Sequence, residues 1–381
     1  MRIAIITESF PPDVNGVANS VARVAEHLVR RGHDPMVIAP APSAAARAVA
    51  GNHPFPVRRV PSVPMPRYRS FRLGLPVPRL ADALAEHRPD IVHLASPFLL
   101  GARGVALAGQ RDIPAVAVYQ TDVAGYARAY RLGWGEATAW RWLRTIHNAA
   151  DRTLAPSSTA ASTLVANGIQ RVWLWRRGVD AARFDPSRRH GGVRRLLAPN
   201  GEVIVGYVGR LAVEKELDLL AHTCRLPGVR VVIVGGGPAR RHLERTLPGA
   251  IFVGQRHGDQ LARLYASLDI FVHPGRFETF GQTVQEALAS GVPVVAPAAG
   301  GPTDLVRPGR TGILVEPGDG VALAEAVAGL AGDPQRRAAY GSAARAEVAA
   351  RTWAVVGDEL IAHYAAVLAG PGVPTPIPIA A

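Results

Sequence analysis

Two glutamates eight positions apart, Glu278 and Glu286 in the run ETFGQTVQE, are the residues of this 381-residue chain best placed to do chemistry. A carboxylate accepts hydrogen bonds from hydroxyls. With a Phe280-Gly281 turn between them, the two can take hydroxyls on either side of a shared centre. The composition of the turn says what that centre is. Gly281 lets backbone approach a ligand closely. The N–H groups of Gln282, Thr283 and Val284 then open a helix whose positive dipole end favours an anion such as a diphosphate. Hexose, diphosphate and ribose in a row fit this arrangement, so the expected ligand is a sugar nucleotide. A Glu pair alone is more often two solvated charges; the loop around this pair is what favours a site.

Cationic partners stand earlier in the chain. VIVGYVGRL (203–211) reads as a buried strand ending in Gly209-Arg210, and LAVEKEL is expected to open a helix behind it. Arg210 and Lys215 therefore share one strand-to-helix turn. Lys215 is the only lysine among 43 basic residues. Codon bias toward arginine explains the others but not the exception. A compact ammonium with rotatable donors suits a phosphate oxygen. Arg256, just past a strand ending at Val253, is expected to touch a base. Gly235-Gly236-Gly237 lacks the G-x-G-x-x-G spacing of dinucleotide sites and reads as a plain strand-to-helix turn.

These residues need a frame of alternating strands and helices. IAIIT (3–7), 34–39, 90–94, 113–119, 152–154 and 172–175 read as buried strands of one parallel sheet, with an amphipathic helix from about Val17 to Gly32. The pattern restarts at 203. The fold class is therefore α/β, in two doubly wound domains, 1–180 and 195–354, separated by the turn-rich stretch 177–200. Helices follow at 319–331, at about 333–350 and on to about Leu368, and 371–381 reads as a disordered tail. Gln120, Thr121 and Asp122 lie just past a strand's carboxyl end, where such sheets bind ligands. Asp13, in a Pro/Gly/Asn loop, is explained equally well as a turn or cap residue. Trp140 and Trp142 read as core.

Composition bounds the partners. Hydrophobic residues make up 48%, enough for two cores, and the formal charge is +13 with a pI near 10.9. Such a balance favours phosphate-rich partners: nucleic acid, anionic membrane or phosphorylated substrates. Residues 54–80 concentrate it, with Arg58, Arg59, Arg67, Arg69, Arg72 and Arg79 among prolines and apolar residues. The stretch is too Pro-rich for a long helix. It suits an anionic headgroup layer, or equally an acceptor loop. No nucleic-acid module accompanies it. Glu8 interrupts the only early apolar run, so no signal peptide is expected, and no segment is long and apolar enough to span a bilayer. The single Cys224 excludes an internal disulfide framework and fits a reducing compartment.

The Glu-x7-Glu run in this setting resembles the signature of the retaining GT-B glycosyltransferases of family 4. The resemblance covers nearly the whole chain. More narrowly, ESFPPDVNGV, HLASP, VYQTDV and ETFGQTVQEALASG look like a subgroup of mannosyltransferases that extend membrane glycolipids from GDP-mannose. The resemblance implies a GT-B fold: two Rossmann-like domains facing across a cleft, the first completed by a C-terminal helix at about 355–370. It implies that Gly16 backs onto the donor phosphates, that Arg210 and Lys215 grip the diphosphate, and that Glu278 orients the sugar. Gly300 and Gly301 would lie in a loop facing the cleft. Asp13, Gln120 and Asp122 would meet the acceptor. Relatives often carry His where Gln120 stands and Glu where Asp304 stands. Because Gln cannot titrate, either Asp122 or the departing phosphate would take the acceptor proton. The resemblance implies no cofactor beyond the nucleotide-sugar donor and no metal, and no Asp-x-Asp motif is present. A lipid or glycolipid acceptor would place the protein in the cytoplasm, peripheral on the inner face of the plasma membrane. Three alternatives stand beside this reading. They are a same-fold glucosyltransferase using UDP- or ADP-glucose, a same-fold epimerase or pyridoxal-phosphate phosphorylase, and a basic nucleic-acid binder without enzymatic activity.

Overall fold

β1 (Arg2–Ile6) has its last four residues fully buried, as a parallel strand covered on both faces requires. Its side chains alternate between two cores. Ile3 and Ile5 face one, and Ala4 and Ile6 face the other. The structure, a computed structural model, describes residues 1–13, 15–43, 51–65, 68–75, 78–121 and 135–370. The tail at 371–381, expected to be disordered, and Asp122, expected at the acceptor, lie outside these residues. Two units are present. The first runs to Arg177 and takes back the C-terminal helix Trp353–Leu368; the second holds Gly178–Thr352.

In the first unit the strands that follow are β2 (Asp34–Pro40), β3 (Val57–Val60), β4 (Ser62–Met65), β5 (Tyr68–Gly74), β6 (Ile91–Leu94), β7 (Ala115–Val118), β8 (Arg152–Ala155) and β9 (Val172–Leu174). Seven form a parallel sheet in the order β3-β2-β1-β6-β7-β8-β9. The helix Gly16–Arg30 buries Val21, Val24, Ala25 and Leu28, three and four apart on one stripe. Asn15 caps it, its side-chain oxygen accepting from Ala18 N–H at 2.9 Å. Gly16 is thus the first helical residue rather than part of a turn. Val356, Leu360 and Tyr364 repeat every four residues on the C-terminal helix and are fully buried. Burying an aliphatic side chain of this size stabilises by about 1.5–3 kcal/mol. Asp358 accepts from His27 at 2.8 Å and from Arg31 at 2.7 Å, and Tyr364 pairs with His93 at 2.6 Å.

The Arg- and Pro-rich stretch is not a loop. β3 extends the sheet at its edge, and β4 and β5 pair as an antiparallel hairpin. Pro61 stands between β3 and β4, and Pro64 lies at the irregularity in the β4–β5 pairing, positions where a missing N–H is tolerated. Arg59 and Arg72 point inward to the protein, while Arg58 stays exposed. Arg59 donates to Pro40 O at 3.0 Å, Arg72 donates to Ala41 O at 3.1 Å and Ser62 O at 2.8 Å, and Arg58 pairs with Glu86. Arg79 is exposed. Glu8 ties the hairpin down. Its buried carboxylate accepts from Gly74 N–H at 3.0 Å and Leu100 N–H at 2.6 Å. Trp140 is buried as expected, but Trp142 is 40% exposed, its indole N–H donating to Pro97 O at 2.9 Å.

The second unit holds β10 (Val203–Val208), β11 (Val229–Val234), β12 (Ile251–Gly254), β13 (Ile270–Val272), β14 (Val294–Pro297) and β15 (Gly312–Val315). All are parallel, in the order β12-β11-β10-β13-β14-β15. Ile204 and Val208 face one core, Val205 and Tyr207 the other. The order reverses between β10 and β13, and the loops after these two strands flank that switch point, where doubly wound sheets bind ligands. β10 ends at Val208, three residues short of the sequence reading. The expected helix after it is absent: 213–215, 217–221 and 223–225 are separate 3₁₀ turns. The break is at Glu216, whose φ of 49° no α-helix tolerates.

Candidate active site

Lys215 and Glu278 meet at the switch point. The Lys215 ammonium donates to Glu278 Oε2 at 2.8 Å, with the two side chains 14% and 19% exposed. Their loops pack backbone to backbone, since a Cβ on Gly275 would lie 3.0 Å from Lys215 Cα. The left-handed Glu216 is part of the same arrangement. Its carboxylate accepts from Arg276 N–H and Nε, both at 2.9 Å, pinning the loop that carries Glu278. Burial alone would raise the Glu278 carboxyl. The Lys215 charge, its hydrogen bond and the Phe280 N–H overcome it and hold the carboxyl down to about 2.

Arg210 leaves β10 through Gly209 and pairs with Glu214, which is fully buried. The three glycines explain why the loop lies there. A Cβ on Gly235 would sit 1.9 Å from Gly209 O, and one on Gly237 2.2 Å from Leu211 O. Leu211 N–H donates to Gly236 O at 2.9 Å. The glycine run is therefore a seat for the arginine loop, a role its missing dinucleotide spacing left open.

The helix Gln282–Ala289 follows Gly281, whose φ is 95°, and among the described residues no side chain caps it. Its first N–H groups thus lie beside the Glu278 loop with the helix dipole behind them. Glycines again make the room: Gly301 N–H donates to Glu278 O at 2.8 Å, and a Cβ on Gly300 would lie 2.4 Å from that oxygen. Phe280 turns its ring into the core, leaving its backbone to the site. Thr283 is half-buried at the helix start, and Gln282 donates to Gly178 O at 3.2 Å. Asp304 lies in the short helix Pro302–Leu305 behind Gly301.

Glu286 sits one turn into the helix. Burial pushes its carboxyl up to about 7, against Tyr265 and Gln282 and with the help of Asp180. The folded state thus binds a proton that the unfolded chain releases near 4.5, so this group's contribution to stability falls as pH rises from about 4.5 to 7. If the ionised form accepts donor hydroxyls, kcat/KM for the donor should rise through about pH 7. Glu286→Gln should flatten that step in a pH–rate profile. Glu8 in the first unit is also pushed up to about 7 by burial, so the variant makes the assignment.

Arg256 stands exposed beyond β12, its Nη1 donating to Gln255 O at 2.8 Å. In the first unit, Asp13 accepts from Ser9 Oγ at 3.0 Å and is raised by burial; the helix cap is Asn15 instead. Gln120 is buried and donates to Ala95 O at 3.1 Å. Arg177 joins it to Gly16: one Nη reaches Gln120 Oε1 and the other donates to Gly16 O at 3.0 Å. Among the described residues outside its own turn, none lies within 4 Å of a Cβ built on Gly16, so their packing does not demand a glycine there. Sequence reasoning missed Arg177, Glu214 and His273. Their signal was burial of a polar group, which spacing does not carry. Among the described residues no cluster of His, Cys, Asp and Glu is arranged to hold a metal ion, and no helix is long and apolar enough to cross a membrane.

Comparison with known proteins fits this geometry. The sequence model for Glycosyltransferase Family 4 matches residues 14–183, and that for Glycosyl transferases group 1 matches 202–333. A GDP-mannose-dependent alpha-mannosyltransferase of Mycolicibacterium smegmatis is 52% identical over 97% of this chain and 98% of its own. Sulfoquinovosyl transferase SQD2 of Arabidopsis thaliana is 35% identical over 92% of this chain and 71% of its own. Among solved structures, sucrose-phosphate synthase from Thermosynechococcus elongatus superposes with a TM-score of 0.83 at 22% identity, over 97% of this chain and 99% of that one. The chain belongs to glycosyltransferase family 4 and carries its two Rossmann-like domains of the GT-B fold.

Proposed function

We propose that this enzyme transfers mannose from GDP-mannose to a lipid or glycolipid acceptor with an alpha linkage. The observation that carries the donor half is the Lys215–Glu278 pair, 2.8 Å apart beside an uncapped helix start at the sheet's switch point. Cleaving the anomeric C–O bond leaves charge on the diphosphate. Lys215, Arg210 and the N–H groups of Gln282 and Thr283 are the donors that stabilise it. Glu278 accepts hexose hydroxyls and fixes the sugar's orientation, and Glu286 accepts hydroxyls on the other side. Arg256 lies toward the base. The positive charge for the leaving group comes from this chain, so the proposed reaction calls on the nucleotide sugar and the acceptor with no further cofactor. The identity of about 50% to enzymes named for GDP-mannose supports the choice of donor.

The acceptor side belongs to the first unit, with Asp13 and Gln120 at the carboxyl ends of its strands. Asp122 is the neighbouring ionisable group in sequence; it and the departing phosphate are the two routes for the acceptor proton. A lipid acceptor calls for a peripheral association with the inner face of the membrane. The hairpin supports it, since Val63 and Met65 are 43% and 37% exposed beside a basic stretch. Val63→Asp with Met65→Asp is expected to reduce flotation with anionic vesicles several-fold while sparing hydrolysis of the donor.

The test is a thermal-shift panel of nucleoside diphosphates followed by transfer of radiolabelled sugar to extracted lipids. GDP should stabilise most and GDP-mannose should label the lipid fraction. Preference for UDP or ADP would move the enzyme to a glucosyl donor. Salt-sensitive binding to DNA or RNA with no sugar transfer would favour the nucleic-acid reading.

A further inference from the structure

His273 follows β13 directly and is only 2% exposed. Among the described residues neither ring nitrogen completes a hydrogen bond, although the Gly275 backbone lies close enough to favour the charged form. A buried imidazole in that condition is unusual, because buried polar groups are normally paired. Its Nε2 lies 3.9 Å from Glu278 Oε2, the same oxygen that Lys215 contacts at 2.8 Å. That is about 1 Å beyond hydrogen-bond range, a gap that a small rotation of the carboxylate closes. Burial keeps the ring neutral, with a pKa pushed down to about 4 against the Glu278 charge. A neutral imidazole carries one N–H, so with its proton on Nε2 the ring is a hydrogen-bond donor that adds no charge to the site.

Lys215 has two claims on it. Without ligand it is paired to Glu278; with a diphosphate it faces a larger negative charge. The geometry points to a partner exchange: when a nucleoside diphosphate draws the Lys215 ammonium away, the Nε2–H of His273 takes its place on Glu278 Oε2 and holds the carboxylate in its pose for the hexose. His273 is a positioning residue in this scheme, acting through Glu278 and touching no substrate. The inference rests on the donor reading given above.

Two substitutions separate the donor role from packing. His273→Gln keeps an N–H near the position of Nε2; His273→Leu keeps the approximate volume without it. His273→Leu should weaken GDP binding about tenfold and lower kcat, the loss of one hydrogen bond to a charged group. His273→Gln should stay within about threefold of wild type. In wild-type protein with 15N-labelled histidine, saturating GDP should shift the ring resonance that is missing from His273→Gln. The NMR arm decides the matter even if His273→Leu fails to fold. Equal GDP affinity and kcat in the two variants, or a His273 resonance that GDP leaves unmoved, overturns the exchange. Lys215→Ala binding GDP as wild type does would instead sink the donor site itself. A normal Lys215 effect with a silent His273 sinks the exchange alone.

Discussion

Lys215→Ala should weaken GDP binding about a hundredfold, because a charge-assisted hydrogen bond to phosphate contributes roughly 1.5–3 kcal/mol. Turnover should fall further, by about two to three orders of magnitude, since the ammonium stabilises charge that grows as the leaving group departs. Calorimetry with GDP and a sugar-transfer assay measure the two effects. A second signature comes from Glu278. Its carboxyl is held at about 2 against a usual 4.5. The pair's stabilisation is therefore complete above about pH 4.5 and is lost as pH falls toward 2. The variant lacks it at every pH. The gap in melting temperature between wild type and Lys215→Ala should be widest near neutrality and shrink below pH 4.5. Lys215→Arg should rescue poorly, as a planar fork replaces a compact charge in a tight backbone seat. A binding constant within threefold of wild type for Lys215→Ala would remove the lysine from the donor site.

Gly301→Ala should be among the most damaging single methyls in the second unit. The added Cβ would meet Phe280 O at 2.1 Å and the Phe280 carbonyl carbon and Cα at 2.3 Å, all backbone. The φ at Gly301 is −58°, so an alanine there is strained by contact and not by conformation. Something must move, and what can move is the Glu278–Gly281 segment that carries the carboxylate and the helix start. Overpacking of this kind costs about 1–3 kcal/mol, a fall of roughly 3–10 °C in melting temperature for a unit of this size. Turnover should drop about a hundredfold, because a displacement near 1 Å is enough for that. Calorimetric melting and steady-state kinetics check both. Unchanged kinetics in a folded variant would mean that this loop does not set the geometry of catalysis.

The parts of the fold that were legible in the sequence are those where one local rule acts alone. The buried parallel strands announce themselves as continuous apolar runs, and the helix Gly16–Arg30 as a single stripe closed by Gly32. Legibility failed where tertiary contacts override the local rule. LAVEKELDLL has good helical composition, yet the backbone breaks at Glu216 to bring its carboxylate to Arg276 and the Lys215 ammonium to Glu278. The stretch 54–80 was legible as too rich in proline for a long helix, but its strands were not, because Glu8 supplies a long-range tie to Gly74 that no spacing reveals. In the site, Arg210, Lys215, Glu278 and Glu286 were visible because their loops have recognisable punctuation. Glu214, His273 and Arg177 act from beneath the surface, and a buried polar residue leaves no periodic trace.

The solitude of Lys215 has a practical consequence. Acylating reagents that attack amines have one side chain to find in this protein, and in the unliganded site that amine is mostly sheltered by its carboxylate partner. The extent of its acylation, read by mass spectrometry, becomes a gauge of occupancy at the switch point. The enzyme carries a single side-chain reporter, which peptide mapping separates from the α-amine of Met1.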